Sequence, residues 1–167
     1  RFTIGSRGDF TSEIPNLRVG TRVVLEGPYG IFSEKTRTKK RMLMIAAGIG
    51  VAPVRSLARG VVSDPGDVTI IYRVNDAKDA ALLEELRDIS ISKGHNLEVL
   101  DGERFGSSWL PGESDKPDYA RLIEMAPYAL ESDIYICGPV AWTKSVEATL
   151  RTLNVPSEQV HAEEFAW

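Results

Sequence analysis

With one cysteine, two histidines and no long unbroken apolar run, this 167-residue chain lacks the raw material for several kinds of function. Cys137 alone cannot build an intrachain disulfide framework or a four-thiolate iron–sulfur or zinc centre. His95 and His161 stand far apart, so no metal site is assigned. The Lys-Gly-His-Asn turn places His95 at the surface, and His161, in the last strand-like run, is expected to pack or hydrogen-bond. The longest apolar stretch, Met42 to Val54, is broken by Gly48, Gly50 and Pro53 and falls short of the roughly 20 residues a membrane helix needs. No basic stripe exists either: 20 basic and 24 acidic side chains are spread along the chain, net −4, which argues against a nucleic-acid partner. The opening RFTIGS has no initiator Met and no signal-peptide pattern, so Arg1 reads as a cut through a longer polypeptide. A reducing compartment is expected: the cytoplasm, or the cytoplasmic face of a membrane protein whose helices would precede Arg1.

What is present is the composition of an ordinary globular protein, with enough apolar residues for one substantial core plus a fragment of a second domain. Arg1 to Ile4 and Thr21 to Glu26 are short β-branched runs that read as strands, with a helical turn or two between them. Residues 1–32 are therefore read as the end of one domain, the basic stretch SEKTRTKKR at 33–41 as a linker, and 42–167 as a second domain.

From Met42, strand-like runs alternate with helical patterns, the signature of βαβ units and a parallel sheet with helices on both faces. The five expected strands are Met42–Ala47, Val68–Val74, Leu97–Leu100, Ile134–Cys137 and Gln159–Glu163. Val54, Leu57, Ala58 and Val61, then Leu82, Leu86 and Ile89, then Val146, Leu150 and Leu153 repeat at helical spacing and form core-facing stripes. Gly102 to Tyr119 shows no periodicity and reads as a long loop.

Two strand-to-helix junctions are marked by glycine. At AAGIGVAP, Ala46 to Pro53, small residues let a phosphate approach the backbone where unpaired helix N–H groups point outward, and Pro53 suits a first helical turn. Tight turns also use glycine for geometry alone, and Pro53 stands where the third glycine of GxGxxG belongs. CGPVAW, Cys137 to Trp142, is a second such junction, in which Cys137 is otherwise a buried filler and Gly138-Pro139 a strand breaker.

Taken in order, GPYG, a basic stretch, AAGIGVAP, YRVNDAKDAALLEEL, IYICGPVAW and HAEEFAW resemble the ferredoxin–NADP reductase superfamily from Gly8 to Trp167. Within it the chain looks most like bacterial ferric-reductase and NADPH-oxidase-type dehydrogenase modules. The resemblance implies an antiparallel FAD-binding barrel, of which residues 1–32 are the C-terminal remnant, followed by a five-stranded parallel sheet that binds NAD(P)H. It implies that Thr11 touches the FAD pyrophosphate, a helix N-cap being the competing reading. The family's upstream arginine–aromatic–serine flavin motif would lie before Arg1, in a missing FAD-binding domain of the same polypeptide.

By the same resemblance Gly48, Ile49, Gly50 and Pro53 line the dinucleotide pyrophosphate, and Gly138 and Pro139 set Cys137 beside the nicotinamide. Glu163 lies near the flavin N5, Phe165 covers the isoalloxazine and Trp167 stacks on the FAD adenine; sealing of the core edge is the alternative for both aromatics. Arg73, at the end of the second strand, is a 2′-phosphate ligand that favours NADPH, whereas a snorkelling arginine with Asp76 or Asp79 serving NADH is the other reading. The implied activity is hydride transfer from NADPH to FAD, then electron transfer to an acceptor that is haem, a ferric chelate, a ferredoxin-like protein or oxygen. A dinucleotide-binding regulatory module without turnover is the alternative from a different class.

Overall fold

The computed structural model describes residues 2–6, 8–27, 30 and 32–165, and the chain divides into two compact units, Arg1–Gly30 and Ile31–Trp167. In the first unit, α1 (Gly8–Glu13) runs into one turn of 3₁₀ helix at Ile14–Asn16. The two expected strands do not form among the described residues: 2–6 and 21–27 carry no strand pairing. A β-branched run becomes a strand only when a neighbour takes its main-chain hydrogen bonds. Phe2, Phe10, Val19, Val23, Val24 and Leu25 are accordingly exposed.

In the second unit all five expected strands form, the second over the expected residues and the others with one or two residues added or lost at an end. They are β1 (Arg41–Ala47), β2 (Val68–Val74), β3 (Asn96–Asp101), β4 (Ser132–Pro139) and β5 (Val160–Phe165), joined as one parallel sheet in the order β3-β2-β1-β4-β5. β1 is buried from Met42 to Ala47 because it lies mid-sheet with both faces covered, so its apolar run is continuous instead of alternating. β3, at an edge, is only partly buried.

Alternation along β1 divides the core. Met42, Met44 and Ala46 meet α2 (Val51–Gly60) and α3 (Leu83–Lys93) through Val51, Val54, Leu57, Ala58, Leu86 and Ile89. Leu43, Ile45 and Ala47 meet α4 (Asp118–Met125) and α5 (Val140–Thr152) through Leu122, Trp142, Val146 and Leu150. The apolar stripes face the core, except that Leu82 precedes α3 with a left-handed φ of +58° and Leu83 takes the buried place in its first turn. Helix α3 stops at Gly94, whose φ of +71° is a left-handed cap and whose N–H donates to the Ser90 carbonyl.

Two expectations change. The stretch from Gly102 is not all loop: α4 begins at Asp118, and Trp109 and Leu110 are fully buried. Trp109 Nε1 donates to Thr149 Oγ1 at 3.1 Å, and its carbonyl accepts from Trp142 Nε1 at 3.0 Å, with the two indoles edge to face at 6.0 Å. His95 is buried, not at the surface; one ring nitrogen lies 3.1 Å from the Ala58 carbonyl, and burial lowers its pKa. Its turn sits under α2, which carries that carbonyl.

Replacing Trp109 with Ala removes a buried indole and its hydrogen bond to Thr149 of α5, while the main-chain carbonyl that accepts from Trp142 stays. A loss of about 3–5 kcal/mol is expected from urea denaturation, and a loss below about 1 kcal/mol would show that the loop is not part of the core.

Candidate functional site

The sheet order makes β1 the point where the chain reverses direction, since β2 and β3 lie to one side and β4 and β5 to the other. In open parallel sheets the crevice beyond the carboxyl ends at such a switch point is where ligands bind. Both glycine-marked junctions open there: Gly48–Gly50 follows β1 as one 3₁₀ turn, and Gly138 lies at the end of β4.

The two turns interlock. A Cβ on Gly50 would collide with the Cys137 carbonyl, so only glycine lets the β1–α2 turn lie on the end of β4. Gly138 is held as closely, since a Cβ there would come within 2.6 Å of the Trp142 indole and 3.2 Å of Ala47 Cβ. Gly48 is different: it faces open space, with a left-handed φ of +54°. Ile49 is half-buried, and Pro53, in the first turn of α2, spends its missing N–H where no intrahelical partner exists. Neither α2 nor α5 has a side-chain N-cap, and at α2 the Val51 N–H is taken by the Gly48 and Ile49 carbonyls of the preceding 3₁₀ turn. Pro139 precedes α5 and is exposed.

Cys137 is fully buried on the α2 side of β4, aligned with Ala46 of β1 and Glu163 of β5. Burial, with Glu163 adding to it, pushes its thiol up to about 12, so the group stays a neutral S–H at ordinary pH. Glu163 is half-buried. Phe165 ends β5 opposite Pro139, and Trp167 lies outside the described residues. Cys137, Glu163 and the glycine turns therefore share one end of the sheet.

Arg73 is tucked inward. Its side chain donates to Asn75 Oδ1 and, at 2.9 Å, to the Gly102 carbonyl, while Nε has no partner. Desolvation, then the neighbouring Arg104, lowers its pKa. Arg104, which the sequence reading passed over, is the exposed cation of this rim, anchored by Nε to the Ser108 carbonyl at 2.8 Å. Only its place two residues after the turn glycine Gly102 hinted at such a position. Thr11 belongs to the first unit; it sits inside α1, not at its N-cap, with Oγ1 3.4 Å from the Gly8 carbonyl.

Two outcomes follow from this geometry. Gly50→Ala is expected to cost about 1–3 kcal/mol or more through overpacking, and Gly48→Ala about 1–2 kcal/mol through φ alone; chemical denaturation measures both, and equal costs would deny the close approach. A thiol that holds its proton more tightly when folded than its ordinary 9.0 stabilises the fold fully below pH 9, and that contribution is lost as pH rises toward 12. Cys137→Ala is thus expected to flatten the fall in stability across that alkaline window, and an unchanged slope would contradict the burial argument.

Comparison with known proteins bears on the whole second unit. The family model described as the oxidoreductase NAD-binding domain matches residues 44–148. The ferredoxin reductase component of the 3-ketosteroid-9-alpha-monooxygenase of Mycobacterium tuberculosis is 29% identical over 150 residues, 89% of this chain and 39% of the relative. A flavohemoprotein of Rhodopirellula baltica is 32% identical over 157 residues, 87% of this chain and 37% of the relative. The chain thus spans about two fifths of these curated relatives. Among solved structures, a flavohemoglobin from Malassezia yamatoensis with bound FAD and heme shares the fold at a TM-score of 0.74 and 21% identity, covering 99% of this chain and 43% of that one. With a family model covering more than half its length and this sheet order, the chain belongs to the oxidoreductase NAD-binding domain family, within the ferredoxin–NADP reductase superfamily.

Proposed function

We propose that this chain is the NAD(P)H-binding part of a flavin-dependent reductase, with residues 1–32 belonging to the FAD-binding domain of the same polypeptide. The observation that carries the reading is the pair of interlocked glycine turns at the switch point, each feeding a helix whose first turn has no side-chain cap. That arrangement fits a pyrophosphate, which needs backbone N–H donors and no side chains in the way.

The chemistry supplied by the bound cofactors is hydride transfer from a nicotinamide to a flavin, with electrons then leaving singly to an acceptor. The protein's part is to bind, orient and shield. Gly48, Ile49 and Gly50 line the pyrophosphate and the nicotinamide approach, with Pro53 starting α2, and Gly138 and Pro139 set Cys137 beside the nicotinamide. Cys137, neutral and buried, offers the nicotinamide an uncharged neighbour, and Glu163 tunes the flavin N5 region or relays protons there. Phe165 and Trp167 shield the isoalloxazine and the adenine, and Thr11 contacts the FAD pyrophosphate. The acceptor is proposed as a haem, a ferric chelate, a ferredoxin-like protein or oxygen; among relatives, a ferredoxin reductase component and a flavohemoprotein represent two of these classes.

For the choice between dinucleotides, the basic rim at the ends of β2 and β3 supports NADPH. Arg104 presents the exposed guanidinium, and Arg73 lies beneath it with an unpartnered Nε. Two cations near one another, neither paired with a carboxylate among the described residues, favour a dianionic 2′-phosphate over a ribose hydroxyl.

Thermal shift on the chain tests this reading. At a hundredfold excess over Kd, a bound dinucleotide is expected to add roughly 2.7 kcal/mol; no response to NADPH or NADH would reject dinucleotide binding. Arg73→Ala and Arg104→Ala are each expected to weaken NADPH about tenfold or more while leaving NADH nearly unchanged, and equal loss for both would reject the 2′-phosphate assignment. NADPH binding without flavin reduction in the complete protein would favour the regulatory-module reading.

A further inference from the structure

The basic stretch expected to be a linker is bound along its length to the sheet of its own unit. Asp133, second residue of β4, is fully buried. Its Oδ2 accepts from the backbone N–H groups of Thr38 and Lys39, each at 2.5 Å, and its Oδ1 accepts from Thr38 Oγ1 at 3.2 Å. The nearest side-chain cation or potential cation to that carboxylate is His161, whose Nε2 is 3.5 Å from Oδ1. Two residues along β4, Tyr135 donates to the Ser33 carbonyl at 3.2 Å and shares a hydrogen bond with Thr36 Oγ1 at 3.1 Å. The Tyr135 ring meets Phe32 edge-on at 5.4 Å and His161 at 4.6 Å. At the other rim, Arg37 donates to the Val62 carbonyl at 2.8 Å, and Glu34 accepts from the Val62 N–H at 3.3 Å.

A carboxylate taken out of water is costly unless donors replace the water. Among the described residues Asp133 has three of its four partners in the segment lying over it, the Thr38 and Lys39 N–H groups and the Thr38 hydroxyl, and only His161 in the sheet. The carboxylate and the segment therefore depend on each other: lifting residues 38–39 would strip three hydrogen bonds from a buried charge, so partial lifting gains nothing and the segment is either down or released.

We propose that residues 33–40 form a strap latched by Asp133. With the latch closed, the chain is held to the sheet from Ser33 onward. With it open, these residues become a tether of about 15 Å root-mean-square span, which changes the reach of whatever precedes them. The latch is a property of the second unit alone and is independent of the dinucleotide reading.

The strap reports its own state, because Lys35, Arg37, Lys39, Lys40 and Arg41 make it dense in trypsin sites. Limited trypsin digestion and amide exchange of the whole chain are compared with Asp133→Asn. Cleavage within 35–41 is expected to accelerate about tenfold or more, and the Thr38 and Lys39 amides to exchange at least about tenfold faster, while the β1 and β2 amides keep their protection. Unchanged cleavage and exchange in the variant would overturn the latch. If β1 protection is lost and the variant has not folded, Thr38→Pro removes two of the three strap donors, the Thr38 N–H and hydroxyl, without altering β4; cleavage after Lys35, Lys39 and Lys40 is expected to accelerate as much, and its failure to do so would equally overturn the proposal.

Discussion

The carboxyl end of the sheet is organised by one contact: the turn after β1 lies on the Cys137 carbonyl at the end of β4, so closely that only glycine fits at position 50. That approach sets the start of α2 beside the end of β4, which leads into α5, at the point where the strand order switches sides. Gly138, held against the Trp142 indole and Ala47 Cβ, is as tightly constrained, whereas Gly48 is set apart by its left-handed φ and open surroundings.

The two faces of the sheet reach closure differently. On one face α2 and α3 suffice, with their apolar stripes set against Met42, Met44 and Ala46. On the other, α4 is short, and Trp109 and Leu110 fill the space that a longer helix would take. The loop that carries them also supplies Gly102 and Arg104, so core packing and the basic rim are built from one segment. Arg73 joins that loop to β2, which makes its burial a structural bond as well as a source of positive charge.

The parallel sheet was legible because its central strands are buried on both sides and so read as unbroken apolar runs, and the three helical stripes because their period of 3.6 survives in any window. Helix α4 and Trp109 were not: Gly102 to Tyr119 has no period, and the indole is buried only because Thr149 and Trp142 of a distant helix receive it. His95 looks like a surface turn residue in sequence, and its burial depends on where α2 ends up. The glycine junctions could be recognised from residue type and order, which is backbone information. The inward turn of Arg73 could not, because alternation assigns a strand residue to a face without saying whether a long side chain at the strand end reaches up or folds under. The β-branched runs before residue 27 show the complementary limit: propensity without a pairing partner leaves an extended chain.

Trp142 packs its ring against Gly138 at one end and donates to Trp109 at the other. The indole therefore sits beside the crevice while rooted in the core, and its ultraviolet emission is a native optical gauge of that crevice. A molecule entering between the two glycine turns would alter the polarity and quenching around a chromophore that already stands there, with no dye or label introduced.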